Sequence, residues 1–167
     1  MVRNWLESGL PDRHFDAVVA IESASHMPDQ QAFIVECARV LKPGGRLVIA
    51  AWLSSESPAS WEVEHLLRPI CDEGRLAGLP TESEYRQWLE AEDLRLLLFD
   101  DLSRDVRRTW SVCARRVCIR LLEDPDARSY MLDAARTERV FALAVGRIWL
   151  AYRLGALRYG VLTATRN

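Results

Sequence analysis

The sequence predicts an α/β fold: a largely parallel sheet covered on both faces, with a helical lid inserted before the last strand. Three observations carry this. Ala17 to Ile21 is an unbroken apolar run with no polar alternation, as in a strand buried on both faces. A second such run, Arg46 to Trp52, follows a helix-length stripe and a glycine turn, giving strand, helix, turn, strand. After Trp52 the pattern turns mostly helical before a final strand near the end of the 167 residues.

The first strand is about seven residues long, too short for a typical helix. Pro28 and Asp29 then open a helix with Asp29 as N-cap. Its apolar stripe is Phe33, Ile34, Cys37, Val40 and Leu41, at helical period. Pro43 cannot continue a helix, and Gly44-Gly45 supply the backbone freedom for a tight reversal into the second strand. The crossover of this βαβ unit is expected to be right-handed.

Beyond Trp52, "LSSESPAS" reads as a polar loop. Trp61, Leu66 and Ile70 mark a short helix ending near Gly74. Thr81 and Glu84 form a capping box ahead of a helix that buries Tyr85, Trp88 and Leu89. Leu94 to Phe99 reads as the third strand. Ser103 is expected to cap a long helix with the stripe Val106, Trp110, Cys113, Val117 and Leu121. Pro125 separates it from a further helix over 127–154, and Gly155 leads to a last strand, Tyr159 to Thr165. The chain divides into 1–53 (strand–helix–strand), 54–93 (lid helices) and 94–167 (strand, long helices, strand).

Length and composition fit one globular domain with a sizeable core. A net charge of -2 predicts no electrostatic hold on nucleic acid or on an acidic membrane. Arginines cluster at 104, 107, 108, 115, 116 and 120, which reads as a solvated helix face. Cys37, Cys71, Cys113 and Cys118 match no zinc or C-x-x-C spacing, so no metal site is expected. With no signal-like or membrane-spanning stretch, the expected compartment is the cytoplasm.

"FDAVVAIESASHMPD", then a helix, then "ARVLKPGGRLVIAAW" resembles the middle of a class I S-adenosylmethionine-dependent methyltransferase, in the branch of the γ-tocopherol and sterol methyltransferases. "LRLLLFDDLSRDV" and "ALRYGVLTATRN" are similar to that family's sixth and seventh strands, and "GLPDRHFDAV" to the lead-in to its fourth. The resemblance implies a Rossmann-like sheet of order 3-2-1-4-5-7-6. It also implies a glycine-rich cofactor loop after strand one and an acidic residue ending strand two. Neither is present: Gly9 is isolated, and Gly44-Gly45 lies elsewhere. The sequence is therefore expected to be an N-terminally truncated methyltransferase domain, strands four to seven, with residues 1–3 as the end of strand three.

In doubly wound sheets ligands bind beyond the carboxyl ends of the strands. The resemblance implies S-adenosylmethionine as cofactor, with Asn4 and Trp5 at the adenine and Glu22 and Ser23 at the methionine end. The alternatives are a polar turn with an apolar anchor at Asn4-Trp5, and a strand-end carboxylate bonded to the following helix at Glu22. His26 is the candidate catalytic residue, because a phenol or ammonium acceptor must lose a proton and a near-neutral imidazole suits that. Its alternative is a hydrogen bond that holds its own loop. Trp52, Trp61 and Trp110 are the candidate acceptor-pocket residues, with Trp88, Tyr130 and Tyr152 as further aromatics; aromatics at helical spacing also serve as core.

Two functions are carried forward. One is methyl transfer to a small, hydrophobic acceptor. The other is a non-catalytic, methyltransferase-like binding or partner module. In both, the first strand is expected to be a bare sheet edge, open to a homodimer or to a missing N-terminal half. A nicotinamide oxidoreductase is disfavoured by the lack of a dinucleotide fingerprint.

Overall fold

The computed structural model describes residues 4–133 and 139–167, the latter with side chains from 144 onward. Residues 1–3, expected to end a further strand, and Met1 among them, lie outside the described residues. The architecture is a four-stranded mixed sheet of order β1-β2-β4-β3. β1 (Phe15–Ile21) and β2 (Leu41–Ser54) are parallel, joined over α1 (Gln30–Val40). β4 (Leu157–Arg166) is antiparallel to both β2 and β3 (Leu94–Asp101).

α1 starts where Asp29 accepts from the Ala32 N–H at 2.8 Å, satisfying one of the four orphan donors of a helix start. Lys42 to Gly45 do not form a free turn ahead of the strand. They loop out within β2, since Phe15 pairs with Leu41 while Ala17 already pairs with Arg46. Gly44 takes φ +77. A Cβ on Gly45 would stand 2.8 Å from the Lys42 carbonyl, so close backbone approach requires glycine here.

One sheet face packs Val18, Ala20, Leu47, Ile49, Ala51, Leu53, Leu162 and Ala164 against α1 and α4 (Glu82–Ala91), with Tyr85 wholly buried among them. The Thr81–Glu84 capping box forms as expected: Glu84 N–H donates to Thr81 Oγ1 at 3.1 Å and Thr81 N–H to Glu84 Oε2 at 2.7 Å.

The other face is covered at one end only. There Trp52 and Tyr159 meet Leu66, Leu67, Ile70, Ile148, Ala151 and Tyr152. These come from a π-helical turn Val63–Leu67, which continues α2 (Ser60–Glu62), and from α3 (Arg68–Gly74) and α7 (Arg139–Leu154). Arg147 of α7 pairs with Glu73 of α3, tying the lid together. Across the rest of that face Val19, Ile21 and Leu98 are 61%, 68% and 57% exposed. Among the described residues β1 pairs only with β2, so it is a sheet edge.

Two helix expectations change. Ser103 is the first residue of α5 (Ser103–Glu123), not its cap. Asp101 takes that role by accepting from the Ser103 N–H at 2.9 Å, which frees Ser103 Oγ to accept from the Tyr159 N–H at 3.0 Å. The helix expected over 127–154 is two: α6 (Pro125–Leu132) ends at Asp133, which is extended, and α7 begins at Arg139. No helix among the described residues is long and apolar enough to cross a membrane.

Candidate functional site

β1 ends at Ile21, opposite Ala50, while β2 runs on beside β4 to Ser54, so the residues just past β1 lie next to the last residues of β2. Glu22 takes φ +53, a left-handed conformation uncommon for a non-glycine residue. Its N–H donates to the Ala50 carbonyl at 2.8 Å, one last rung of the ladder. Its carboxylate accepts from the Tyr159 hydroxyl at 3.2 Å. The backbone then coils into a 3-10 turn, Ala24–His26, that buries Ala24 and Ser25 and leaves His26 exposed.

A pocket of about 190 Å³ opens here, lined by Glu22, Ser25, His26, Trp52, Gly74 and Leu76. Trp52, Gly74 and Leu76 give it apolar walls, and Glu22, Ser25 and His26 add three polar side chains, the usual composition of a small-molecule site. Ser25 is buried, and its hydroxyl has no hydrogen-bond partner among the described residues. His26 Nδ1 lies 3.2 Å from the Arg75 carbonyl. A carbonyl only accepts, so Nδ1 is the donor in this contact, and Nε2 is the nitrogen that offers a lone pair whenever the ring is neutral. The loop-holding bond and a base at the pocket mouth are thus compatible roles for one ring. Arg75 itself sits at φ +52, which ends α3 and turns its carbonyl to the imidazole.

Burial, and then the charge of Glu22, push the Tyr159 phenol up to about 12. Burial raises the Tyr152 phenol further; its hydroxyl has no partner among the described residues. Both phenols stay protonated, and that of Tyr159 donates to Glu22.

Of the residues singled out from sequence, Glu22, His26 and Trp52 share the pocket. Trp110 reaches it indirectly, edge-on to Trp52 with ring centroids 5.7 Å apart. Ser23 precedes the 3-10 turn and caps nothing with its side chain. Asn4 Oδ1 accepts from the Leu6 N–H at 3.2 Å, and the Trp5 ring packs 6.1 Å from that of Phe33. Trp61 is 48% exposed and not in the pocket lining. Trp88 stacks edge-on with Tyr85 in the other core. Sequence reasoning missed Tyr159, Ser25 and Leu76. Tyr159 is paired opposite Trp52 and so points to the same face, a register that is set by the tertiary fold.

The residues fit S-adenosylmethionine at one end. The Glu22 carboxylate is placed for a sulfonium or ammonium charge. The adenine end fits poorly, because Asn4 spends its side-chain oxygen on its own turn and no glycine-rich loop occurs in the sequence. No cluster of three or more metal-binding side chains occurs among the described residues.

Comparison with known proteins gives a consistent picture. A family model described as a methyltransferase domain matches residues 2–49. The 27-O-demethylrifamycin SV methyltransferase of Amycolatopsis mediterranei is 36% identical over 66% of this chain and 40% of its own length. The chloroplastic tocopherol O-methyltransferase of Arabidopsis thaliana is 26% identical over 99% of this chain and 47% of its own. Among solved structures, geranyl diphosphate C-methyltransferase of Streptomyces coelicolor A3(2), in complex with S-adenosyl-L-homocysteine, superimposes with a TM-score of 0.68 at 20% identity. That match covers 100% of this chain and 52% of the other. The chain thus spans less than half the length of the curated relatives named here.

Proposed function

Because this chain belongs to the class I S-adenosylmethionine-dependent methyltransferases, on their tocopherol- and sterol-methyltransferase-like side, we propose that it forms the acceptor-facing part of an enzyme that methylates a small, hydrophobic acceptor. The observation that carries this is the pocket where Trp52 and Leu76 make apolar walls beside Glu22, Ser25 and His26. An engineered apolar cavity of about 150 Å³ holds a benzene molecule, so this volume suits one ring of a larger apolar acceptor.

S-adenosylmethionine supplies an electrophilic methyl group. Glu22 is proposed to face its positive end, with the Tyr159 hydroxyl fixing that carboxylate. Ser25 donates to a polar group of the acceptor. His26, anchored through Nδ1, accepts the acceptor's proton at Nε2. Trp52, backed by Trp110, holds the acceptor ring so that its nucleophilic atom is aligned with the methyl group. Asn4, Trp5 and Ser23 are proposed on the cofactor side, and Trp61 at the pocket's outer wall.

The cofactor's remaining contacts are proposed to come from further strands added at the β1 edge, with helices covering Val19, Ile21 and Leu98. That bare edge equally favours a second reading, a partner-binding module without catalysis of its own. The four free cysteines fit the proposed cytoplasmic setting.

The test has two arms. Tryptophan fluorescence follows titration of the chain with a methylated hydroquinone; a saturable response lost in Trp52→Leu supports the acceptor pocket, and no response overturns it. Calorimetry with S-adenosylhomocysteine should show weak binding by this chain alone; low-micromolar affinity would overturn the proposed division of labour. Light scattering then separates edge-to-edge dimer from monomer.

A further inference from the structure

α5 carries two apolar stripes where a lid helix needs one. Val106, Trp110, Cys113, Val117 and Leu121 are half-buried and face the protein. On the opposite side Arg104, Arg108, Val112, Arg115, Ile119 and Leu122 follow spacings of four, four, three, four and three, which place them in one line along the helix. That line is about 27 Å long at 1.5 Å per residue. Val112, Ile119 and Leu122 are 50%, 39% and 78% exposed, and the three arginines are exposed too. None of the three arginines has an ion-pair partner among the described residues. Over the span of that line, Arg104 to Leu122, the sequence holds six arginines and one acid, Asp105, and Arg120 pairs with Asp124 just beyond.

We infer that the outer face of α5 docks on an anionic lipid surface, with the arginines at the headgroups and Val112, Ile119 and Leu122 dipping between them. Charge complementarity selects the occupant. The span carries six arginines against one acid, with Arg120 alone tied to an acid beyond its end, and clustered arginines on an amphipathic helix are drawn to acidic leaflets. The net charge of -2 averages over the whole molecule and hides this local excess. Interleaved aliphatics distinguish a bilayer from nucleic acid, which would use aromatic stacking that this face lacks; its one tryptophan, Trp110, points inward to Trp52. Through that same contact α5 backs Trp52, one wall of the pocket, so docking by its outer face brings the pocket-bearing chain to the surface where an apolar acceptor dissolves. The inference goes beyond methyl transfer and stands without it.

The test is flotation of the purified chain with phosphatidylcholine vesicles, with and without phosphatidylserine. Binding is expected only with phosphatidylserine, and to be released by salt. Arg108→Glu with Arg115→Glu should weaken it by at least about thirtyfold, at roughly fivefold per arginine. Lysine at both positions should retain it, and Ile119→Asp with Leu122→Asp should reduce it. All these side chains are on the exposed side of α5, so circular dichroism should be unchanged. Val19→Asp with Ile21→Asp, on the bare sheet face, should leave vesicle binding intact. Equal binding to neutral vesicles, retention by the Arg→Glu variant, loss in the Val19/Ile21 variant, or tighter binding to homopolymeric RNA than to vesicles would each overturn the inference.

Discussion

Tyr159→Phe removes the hydrogen bond that ties β4 to Glu22, the left-handed residue at the pocket. The ring is 9% exposed and stays in place, so only the hydroxyl is removed. Its O–H donates to Glu22 Oε1 at 3.2 Å, at the long end for a charge-assisted bond. Glu22 is exposed, so water replaces the lost donor and no carboxylate is stranded. The cost is then the net worth of one hydrogen bond, about 1 kcal/mol. For a chain of this size that is a fall in Tm of about 2–4 °C. The companion change, Glu22→Gln, keeps an acceptor oxygen and removes the charge. Burial is the first cause of the raised phenol and Glu22 the second, so the Tyr159 midpoint should drop below about 12 yet stay above its ordinary 10. Tyrosinate absorbance against pH, with the Tyr159→Phe curve subtracted, reads this directly. The folded phenol holds its proton more tightly than the unfolded one. Its contribution to stability is therefore whole below pH 10 and lost as pH rises from 10 to about 12. An unchanged melting temperature in Tyr159→Phe, together with identical tyrosinate curves for wild type and Glu22→Gln, would refute the coupling.

Three further outcomes follow from the packing. Gly160→Ala should destabilise by about 1–3 kcal/mol in urea unfolding, because its Cβ would stand 2.5 Å from Phe99 Cε2 and 2.7 Å from Leu53 Cδ1; an unchanged midpoint would mean the Phe99 ring swings away freely. Tyr85→Phe should stabilise by about 1 kcal/mol, since its wholly buried hydroxyl has no partner among the described residues; a lowered Tm would contradict this. Glu36, which accepts from Arg39 and Ser8, is held down to about 2 against an ordinary 4.5. Its contribution is whole above pH 4.5 and lost as pH falls toward 2, and Glu36→Gln should flatten that limb of an acid-unfolding curve.

Much of the framework was legible because it rests on local signals. Unbroken apolar runs did become strands, but the expected cover on both faces fails at β1, where Val19 and Ile21 are exposed. Asp29 and the Thr81–Glu84 pair are short-range capping chemistry, and both formed as expected. What escaped depends on contacts across the chain. Ser103 looks like a cap, but Asp101 two residues earlier and Tyr159 far along the sequence divide its bonding. Asn4 is a plausible adenine partner by type, yet its own turn claims its oxygen. At the site Glu22, His26 and Trp52 were readable, since strand ends collect ligand-facing residues. Tyr159 and Leu76 were not singled out, because pairing register and the path of the lid bring them there. Trp61, chosen for the same aromatic reason as Trp52, stands outside the pocket lining, because helical spacing alone does not say which turn faces the cavity.

The position of β4 between β2 and β3 imposes an order of assembly. β1, α1 and β2 are consecutive and can associate as soon as they leave the ribosome. β3 has no sheet neighbour until β4 arrives, with α5, α6 and α7 between them in sequence. During synthesis Leu94–Asp101 is thus a waiting edge, guarded by Asp100 and Asp101 at its end and by little else. Nascent chains arrested before residue 157 should show protease-protected 15–54 and cleavable 94–101, making the late strand the clasp that converts two loose pieces into one sheet.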